Sequence, residues 1–499
     1  MVTRLSATDA FSLHTPAPAH TISLVILAAS DRLTHQRLHQ LVAASLPQLA
    51  RFRSRLVTKP LGLGQPVWAE IDDYDPSPQI HCATVRAPGG RSEFAELIAD
   101  LSTRRLDCRE GLWEAWSING LAGGQWALAV KTSPVLDDGA AGTVSLWPRL
   151  LASGPRAKPA NRQPAEPSLG SAPSVGDLVA DVLTEIVERN FTGMRLVADA
   201  VSGALQVGSR RLHRTPSRDR NIPAPSSTSG PVPRTAFNAP LTKRREVAFA
   251  SVPLTAAEAV SNSFGGSITN VVLAACTLSL RAWLQQHGTV PADPLLMRMP
   301  FELPTTNIPK TRKAFTVGRF RIPVHLDDPV QVLANLHTAT ERLNAIRVSG
   351  TEGSWTTIDL AEITSLVPPA VARLGMQLYT RSGLRRQLAP ISHGTVSYSV
   401  GDPAPAYCAG ARVAGMHTVA PLTEGAGLSI ALTSRGDVLD VSVSACPDHV
   451  PAVDDIATGI VHSVDLLVAA AQKSPRGQGR SVVSEMTSHA ANHSRGKTY

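Results

Sequence analysis

Between Ser209 and Arg245 the chain gathers nine basic residues, Arg210, Arg211, Arg214, Arg218, Arg220, Arg234, Lys243, Arg244 and Arg245, against the single acid Asp219, in a Pro- and Ser-rich setting. A segment of that composition interrupts any core, so the chain has to fold on either side of it. Its excess of eight charges equals the formal net charge of +8 carried by all 499 residues, which leaves the rest of the chain balanced. The basicity therefore belongs to one connection and does not argue for a nucleic-acid-binding fold. With Phe237 as its lone aromatic, the stretch also lacks the stacking side chains of a single-strand binder. It reads as a solvated linker or as a patch for anionic lipid headgroups.

Both flanks mix strand-like and helix-like patterns. In residues 1–152, positions 21–29 read as a buried strand, 33–46 repeat apolar residues at helical spacing, and 126–130 form a short apolar strand after Gly123 and Gly124. Residues 153–174 hold five prolines and favour an extended connection. A helical stripe (Leu178, Val179, Val182, Leu183, Ile186, Val187) follows within 175–205, so 153–245 is expected to be a Pro-rich linker, a connecting helix and a basic crossover. The second block, 246–472, opens with a strand at 247–253 and a Thr255 to Glu258 capping-box signature. A strand at 320–326, a helix at 330–346, a hairpin over 428–445 turning at 435–437, and a helix at 455–471 complete it. The polar tail 473–499 is expected to be disordered. The class is α/β, mixed sheets with covering helices.

Five cysteines without a CxxC pair fit neither a disulfide framework nor a zinc site, and no metal is expected. A reducing cytoplasm is the expected home. The first twenty residues lack the apolar core of a signal peptide, and no apolar run approaches 18 residues, so membrane contact is expected to be peripheral. The glycines form no dinucleotide or phosphate-binding fingerprint, and no Gly-x-Ser-x-Gly elbow is present.

Along most of its length the sequence resembles the bacterial wax ester synthase/diacylglycerol acyltransferase family, within the CoA-dependent acyltransferases that carry an HHxxxDG motif. The resemblance rests on LSATDAF near the start, Leu112-Trp113-Glu114 as a PLW-like element, SPVLDDG at 133–139, SITNVVLAA from Ser267 and VGRF from Val317. AGARV at 409–413, PLTEGAGLSI from Pro421 and CPDHVP from Cys446 follow in order. It implies two α/β sandwich domains like chloramphenicol acetyltransferase, joined by a helix and a long crossover. It also implies transfer of a long-chain acyl group from acyl-CoA, as co-substrate with no bound cofactor, to diacylglycerol or a fatty alcohol, for triacylglycerol or wax ester synthesis. A peripheral membrane or lipid-droplet surface is the implied workplace.

In the family motif the second histidine is the general base. Here Ser133 and Pro134 occupy the two histidine positions, while Asp138 and Gly139 are kept. Proline has no acceptor, and a serine hydroxyl is a far weaker base than imidazole, whose pKa of about 6.5 suits proton transfer. The alternative is thus a non-catalytic relative that binds acyl-CoA, lipid or a partner. Asp137 and His393 are the candidate substitute bases; His14 and His20 have no sequence neighbours that suggest a partner. Trp113, Thr269, Asn270, Ser397 and Gly401 fall on family elements and are the implied substrate-binding positions, although a Trp beside a Leu is also an ordinary core pattern.

Overall fold

Period-two alternation of apolar side chains builds two mixed sheets, each covered by helices with a 3.6-residue apolar stripe. The computed structural model describes residues 3–5, 13, 19–60, 64–107, 111–136, 146–159, 169–170, 173–174, 176–182, 184–185, 232–302, 315–349, 390 and 392–473. The strands are β1 (Thr21–Leu27), β2 (Ser54–Val57), β3 (Val67–Glu70), β4 (Ile80–Thr84), β5 (Trp113–Asn119), β6 (Trp126–Thr132), β7 (Leu151–Ala152) and β8 (Glu246–Pro253). They continue with β9 (Leu295–Glu302), β10 (Phe315–Ile322), β11 (Gly394–Val400), β12 (Tyr407–Cys408), β13 (Ala411–Val419), β14 (Leu428–Arg435) and β15 (Val438–Ala445). The principal helices are α1 (His35–Ser45), α2 (Arg91–Thr103), α3 (Leu254–Phe264), α4 (Ile268–His287), α5 (Pro329–Ser349) and α6 (Val453–Lys473).

The first sheet runs β4-β5-β6-β1-β13-β12-β7 and the second β10-β9-β11-β14-β15-β8, with β2 and β3 as a separate ribbon. Val25, Leu27, Leu128 and Val130 bury one face of the first sheet against Leu38 and Val42 of α1. Ile22, Leu24, Ala127 and Ala129 turn the opposite way, toward Phe94 and Ile98 of α2 and toward Val247 and Phe249 of β8. β8 thereby serves two cores, because its alternate residues Ala248, Ala250 and Val252 face α3, α4 and α6. The rings of Phe94 and Phe249 lie 5.6 Å apart, and burial of a side chain of this size stabilises the contact by about 1.5–3 kcal/mol.

β12 and β13 come from the second block of sequence yet complete the first sheet, with β13 antiparallel to β1 in the register Leu24 opposite His417. The free side of β13 is satisfied from the second sheet. Asp440, 1% exposed, accepts from the Met416 amide at 2.8 Å, Ser251 Oγ at 2.9 Å and Arg435 Nε at 3.1 Å. Arg435 also donates to the Ala414 carbonyl at 2.8 Å. A buried carboxylate with three donors thus ties β13 of the first sheet to β15 of the second.

Several local expectations shift. The capping box does not form: α3 starts at Leu254 after Pro253, because the Leu254 amide is taken by the Asp437 carbonyl at 2.7 Å, and Thr255 falls inside the first turn. The strand expected at 320–326 is β10, which ends at Ile322, one residue before Pro323, whose missing N–H stops the ladder. Part of the basic segment is not solvated linker, since Phe237 is fully buried in the second core and Asn238 donates to the Ser392 and Gly425 carbonyls at 2.9 Å. Of the connecting helix, Gly176–Val182, Thr184 and Glu185 are described. It is pinned by Lys59, whose fully buried ammonium lies 2.5 Å from Asp181 and 2.6 Å from Glu185. The rest of that helix, the segment 186–231 and the tail from 474 lie outside the described residues. Among the described residues no single helix is long and apolar enough to cross a membrane; α3 and α4 pass such a test only as a pair bent by 105°, and α4 buries its apolar surface in the second core.

Candidate active site

The motif segment leaves the end of β6. The Ser133 amide donates to the Leu112 carbonyl at 2.8 Å, continuing the β5–β6 ladder by one step, and the Ser133 carbonyl accepts from Leu136 at 3.0 Å to close a turn. Ser133 is 2% exposed and its Oγ accepts from the Val135 amide at 3.5 Å, while Pro134 is half-buried. Ser133 and Pro134, the expected counterparts of the motif histidines, thus present a hydroxyl that accepts from the Val135 amide and a ring without an acceptor. Asp137, Asp138 and Gly139 lie outside the described residues.

Beneath this turn, Trp113 is 1% exposed, donates from Nε1 to the Phe52 carbonyl at 2.8 Å and packs on the Phe52 ring at 5.5 Å. Its indole is a core side chain with its polar edge satisfied. On the opposite face of the sheet Lys131 is buried, donates from Nζ to the Arg104 carbonyl, and lies 3.7 Å from Glu114. Burial is the largest cause of its lowered pKa, which Glu114 opposes. His20 stands beside it, half-buried, with Nε2 accepting from the Leu106 amide at 3.2 Å. Burial first, then Lys131 and Arg105, lower its pKa to about 4.

His393 is fully buried. Its Nδ1 accepts from the Leu296 amide at 3.0 Å and its Nε2 donates to the Pro233 carbonyl at 2.7 Å. Burial lowers its pKa. With both nitrogens committed to backbone, this imidazole ties β9 to the segment before the second core and has no lone pair left for a substrate proton. Asn270, 3% exposed at the start of α4, joins that helix to α5: its Nδ2 lies 2.9 Å from His337 Nδ1, and its Oδ1 accepts from Thr340 Oγ1 at 2.7 Å. Thr269 beside it is half-buried. Ser397, half-buried on β11, sits opposite Ala431 of β14. Gly401 ends that element where a Cβ would come within 2.3 Å of the Ser434 carbonyl, so close backbone approach requires glycine there.

Thus Trp113 and Ser133 both lie at the end of the β5–β6 pair, and Asn270, His393, Ser397 and Gly401 lie on the second sheet and its helices. His20, set aside in the sequence for want of a neighbouring partner, meets Leu106, 86 residues away, and no local pattern signals such a contact. A cleft of about 400 Å³ opens elsewhere, between the β14–β15 turn, the start of α3 and the β12–β13 corner, lined among others by Glu258, Arg412, Arg435 and Asp437. It contains none of the motif positions. Among the described residues no group of three or more His, Cys, Asp or Glu side chains is arranged to hold a metal.

Comparison with known proteins accords with this architecture. Residues 5–272 match the wax ester synthase/diacylglycerol acyltransferase catalytic domain, and residues 314–467 match the C-terminal domain of the same family. A Mycobacterium tuberculosis protein provisionally named as a diacylglycerol O-acyltransferase is 28% identical over 491 residues, 95% of this chain and 92% of the relative. A second relative from that organism, with the same kind of provisional name, is 28% identical over 435 residues, 87% and 88% of the two chains. The solved wax ester synthase/diacylglycerol acyltransferase of Marinobacter aquaeolei VT8 superposes with a TM-score of 0.62 at 20% identity, covering 94% of this chain and 100% of that one. The first condensation domain of the calcium-dependent antibiotic synthetase follows at 0.52 and 16% identity, covering 96% and 98%. The fold is the two-domain, chloramphenicol-acetyltransferase-like one, and the chain belongs to the wax ester synthase/diacylglycerol acyltransferase family.

Proposed function

We propose that this protein is a diacylglycerol O-acyltransferase-like member of its family: it binds a long-chain acyl-CoA and a diacylglycerol or long-chain alcohol, and transfers the acyl group slowly, without an imidazole base at the motif. In that reaction the acceptor hydroxyl oxygen bonds to the thioester carbonyl carbon, the carbon–sulfur bond breaks, and the hydroxyl proton ends on the departing CoA sulfur. Loss of a positioned general base costs about 10²- to 10⁴-fold in rate, whereas the advantage of holding both reactants in one site is retained. The observation that supports this proposal is the turn at Ser133 and Pro134, which follows directly on β6 and offers no acid–base group. Because the acceptors are neutral lipids, the encounter is proposed to occur at a membrane or lipid-droplet surface on the cytoplasmic side, with the basic stretch 209–245 meeting anionic headgroups.

A second reading, a non-catalytic acyl-CoA or lipid-binding relative, is favoured by the commitment of the other candidates to structure: His393 to two backbone groups and Asn270 to α5. The two separate on one pair of measurements with the purified protein, equilibrium binding of a long-chain acyl-CoA and transfer of its labelled acyl group to diacylglycerol against an enzyme-free blank. Binding with transfer above the blank supports the slow enzyme, and binding with none supports the second reading. Absence of binding contradicts both.

A further inference from the structure

The β1–β6 ladder ends at the pair Thr21 and Thr132; continuing that antiparallel register by one residue puts His20 across from Ser133, the expected first position of the motif. Side chains opposite one another on such a rung leave the same face with their Cβ atoms about 5 Å apart. The neighbourhood agrees: His20 feels Lys131, two residues before Ser133 and on the same face, and Arg105. The Leu106 amide donates to Nε2 at 3.2 Å, which fixes the neutral tautomer with its proton on Nδ1. That Nδ1 is buried and, among the described residues, has no hydrogen-bond partner. A buried N–H of this kind costs about 1–3 kcal/mol when nothing accepts from it.

We propose that His20 is a catalytic hydrogen-bond donor, its Nδ1–H donating to the thioester carbonyl oxygen of an acyl-CoA seated at the Ser133–Pro134 turn. The inference rests on the acyl-transfer reading above. When the acceptor oxygen attacks, the carbonyl π electrons move onto that oxygen, and the His20 N–H with the positive charges of Lys131 and Arg105 stabilises the resulting oxyanion. Collapse re-forms the carbonyl and breaks the carbon–sulfur bond; the His20 proton never leaves Nδ1. The surroundings that lower its pKa to about 4 keep the ring neutral at physiological pH, the state in which imidazole polarises a carbonyl instead of taking a proton. His20 thus contributes the electrostatic half of the chemistry and does not replace the missing base.

The test uses the full chain, a long-chain acyl-CoA labelled with ¹³C at the thioester carbonyl, and three proteins: wild type, His20→Phe and His20→Gln. Glutamine can accept from the Leu106 amide through its oxygen and donate through its nitrogen, so it preserves both contacts where phenylalanine preserves neither. The infrared carbonyl stretch of bound acyl-CoA, which needs no turnover, should fall to lower wavenumber in wild type and His20→Gln and return toward its solution value in His20→Phe. Transfer should drop about 10²- to 10³-fold in His20→Phe, as for loss of one oxyanion donor, and recover partly in His20→Gln. Should His20→Phe fail to fold, the wild-type and His20→Gln spectra alone decide: a carbonyl at its solution frequency in both overturns the proposal. Intact binding with the same frequency in all three proteins also overturns it and leaves the acyl-CoA reading standing, whereas failure of wild type to bind acyl-CoA contradicts that reading itself.

Discussion

Replacing Asp440 with alanine should unfasten the seam between the two sheets. The carboxylate is 1% exposed and accepts from Met416 N, Ser251 Oγ and Arg435 Nε at 2.8, 2.9 and 3.1 Å. Removing one member of a buried ion pair costs about 3–5 kcal/mol, because the other charge stays behind. Arg435 keeps its bond to the Ala414 carbonyl and is 14% exposed, which places the expected loss near the lower limit, about 3 kcal/mol. Urea denaturation at pH 7 followed by tryptophan fluorescence reads the global effect, and hydrogen exchange at the Met416 amide reads the local one. Asp440→Leu combined with Arg435→Met should cost less than the two single changes added together, since no lone charge remains. A loss below about 1 kcal/mol for Asp440→Ala, with Met416 still protected, would refute the idea that this carboxylate holds β13 to the second sheet.

Burial lowers the pKa of His417 to about 4, Asp440 opposing it. The unfolded chain then takes up the proton first as the pH falls, so stability is full above about pH 6.5 and declines by about 3 kcal/mol toward pH 4; His417→Gln should flatten that slope in urea melts across the range. Lys59→Ala leaves Asp181 and Glu185 without their buried cation, and limited proteolysis should then cut near 176–185 under conditions where the wild type is intact. Gly401→Ala forces a Cβ against the Ser434 carbonyl and should destabilise by about 1–3 kcal/mol, read as a lower melting temperature. His393→Gln should alter stability but leave the transfer rate per folded molecule within about twofold, because its ring nitrogens face backbone; a loss approaching the 10²-fold typical of a missing general base would make it one.

Local periodicity carried much of the fold. β1 and β6 follow from their short apolar runs and the β14–β15 hairpin from alternation, and the hairpin turn falls at Gly436, whose φ of 56° suits glycine. The place of β13 was not legible, because its own alternation is equally compatible with either sheet; its partner β1 lies nearly 400 residues earlier. Long-range hydrogen bonding also overrode local chemistry at α3, where the Asp437 carbonyl claimed Leu254 and left the Thr255 cap unused. At the site, the lack of an imidazole at Ser133 and Pro134 was plain from residue identity alone. The surroundings of Trp113, His393, Asn270 and His20 were not, since each is set by partners distant in sequence.

The most direct measurement is the transfer rate of the Ser133→His/Pro134→His double variant beside the wild type, using labelled long-chain acyl-CoA and diacylglycerol at matched acyl-CoA occupancy. A scaffold that retained its substrate sites and lost only its base should gain about 10²- to 10⁴-fold when imidazole returns to the motif. A folded double variant that binds acyl-CoA as tightly as the wild type and transfers no faster would contradict that claim, because the deficit would then lie in the rest of the site.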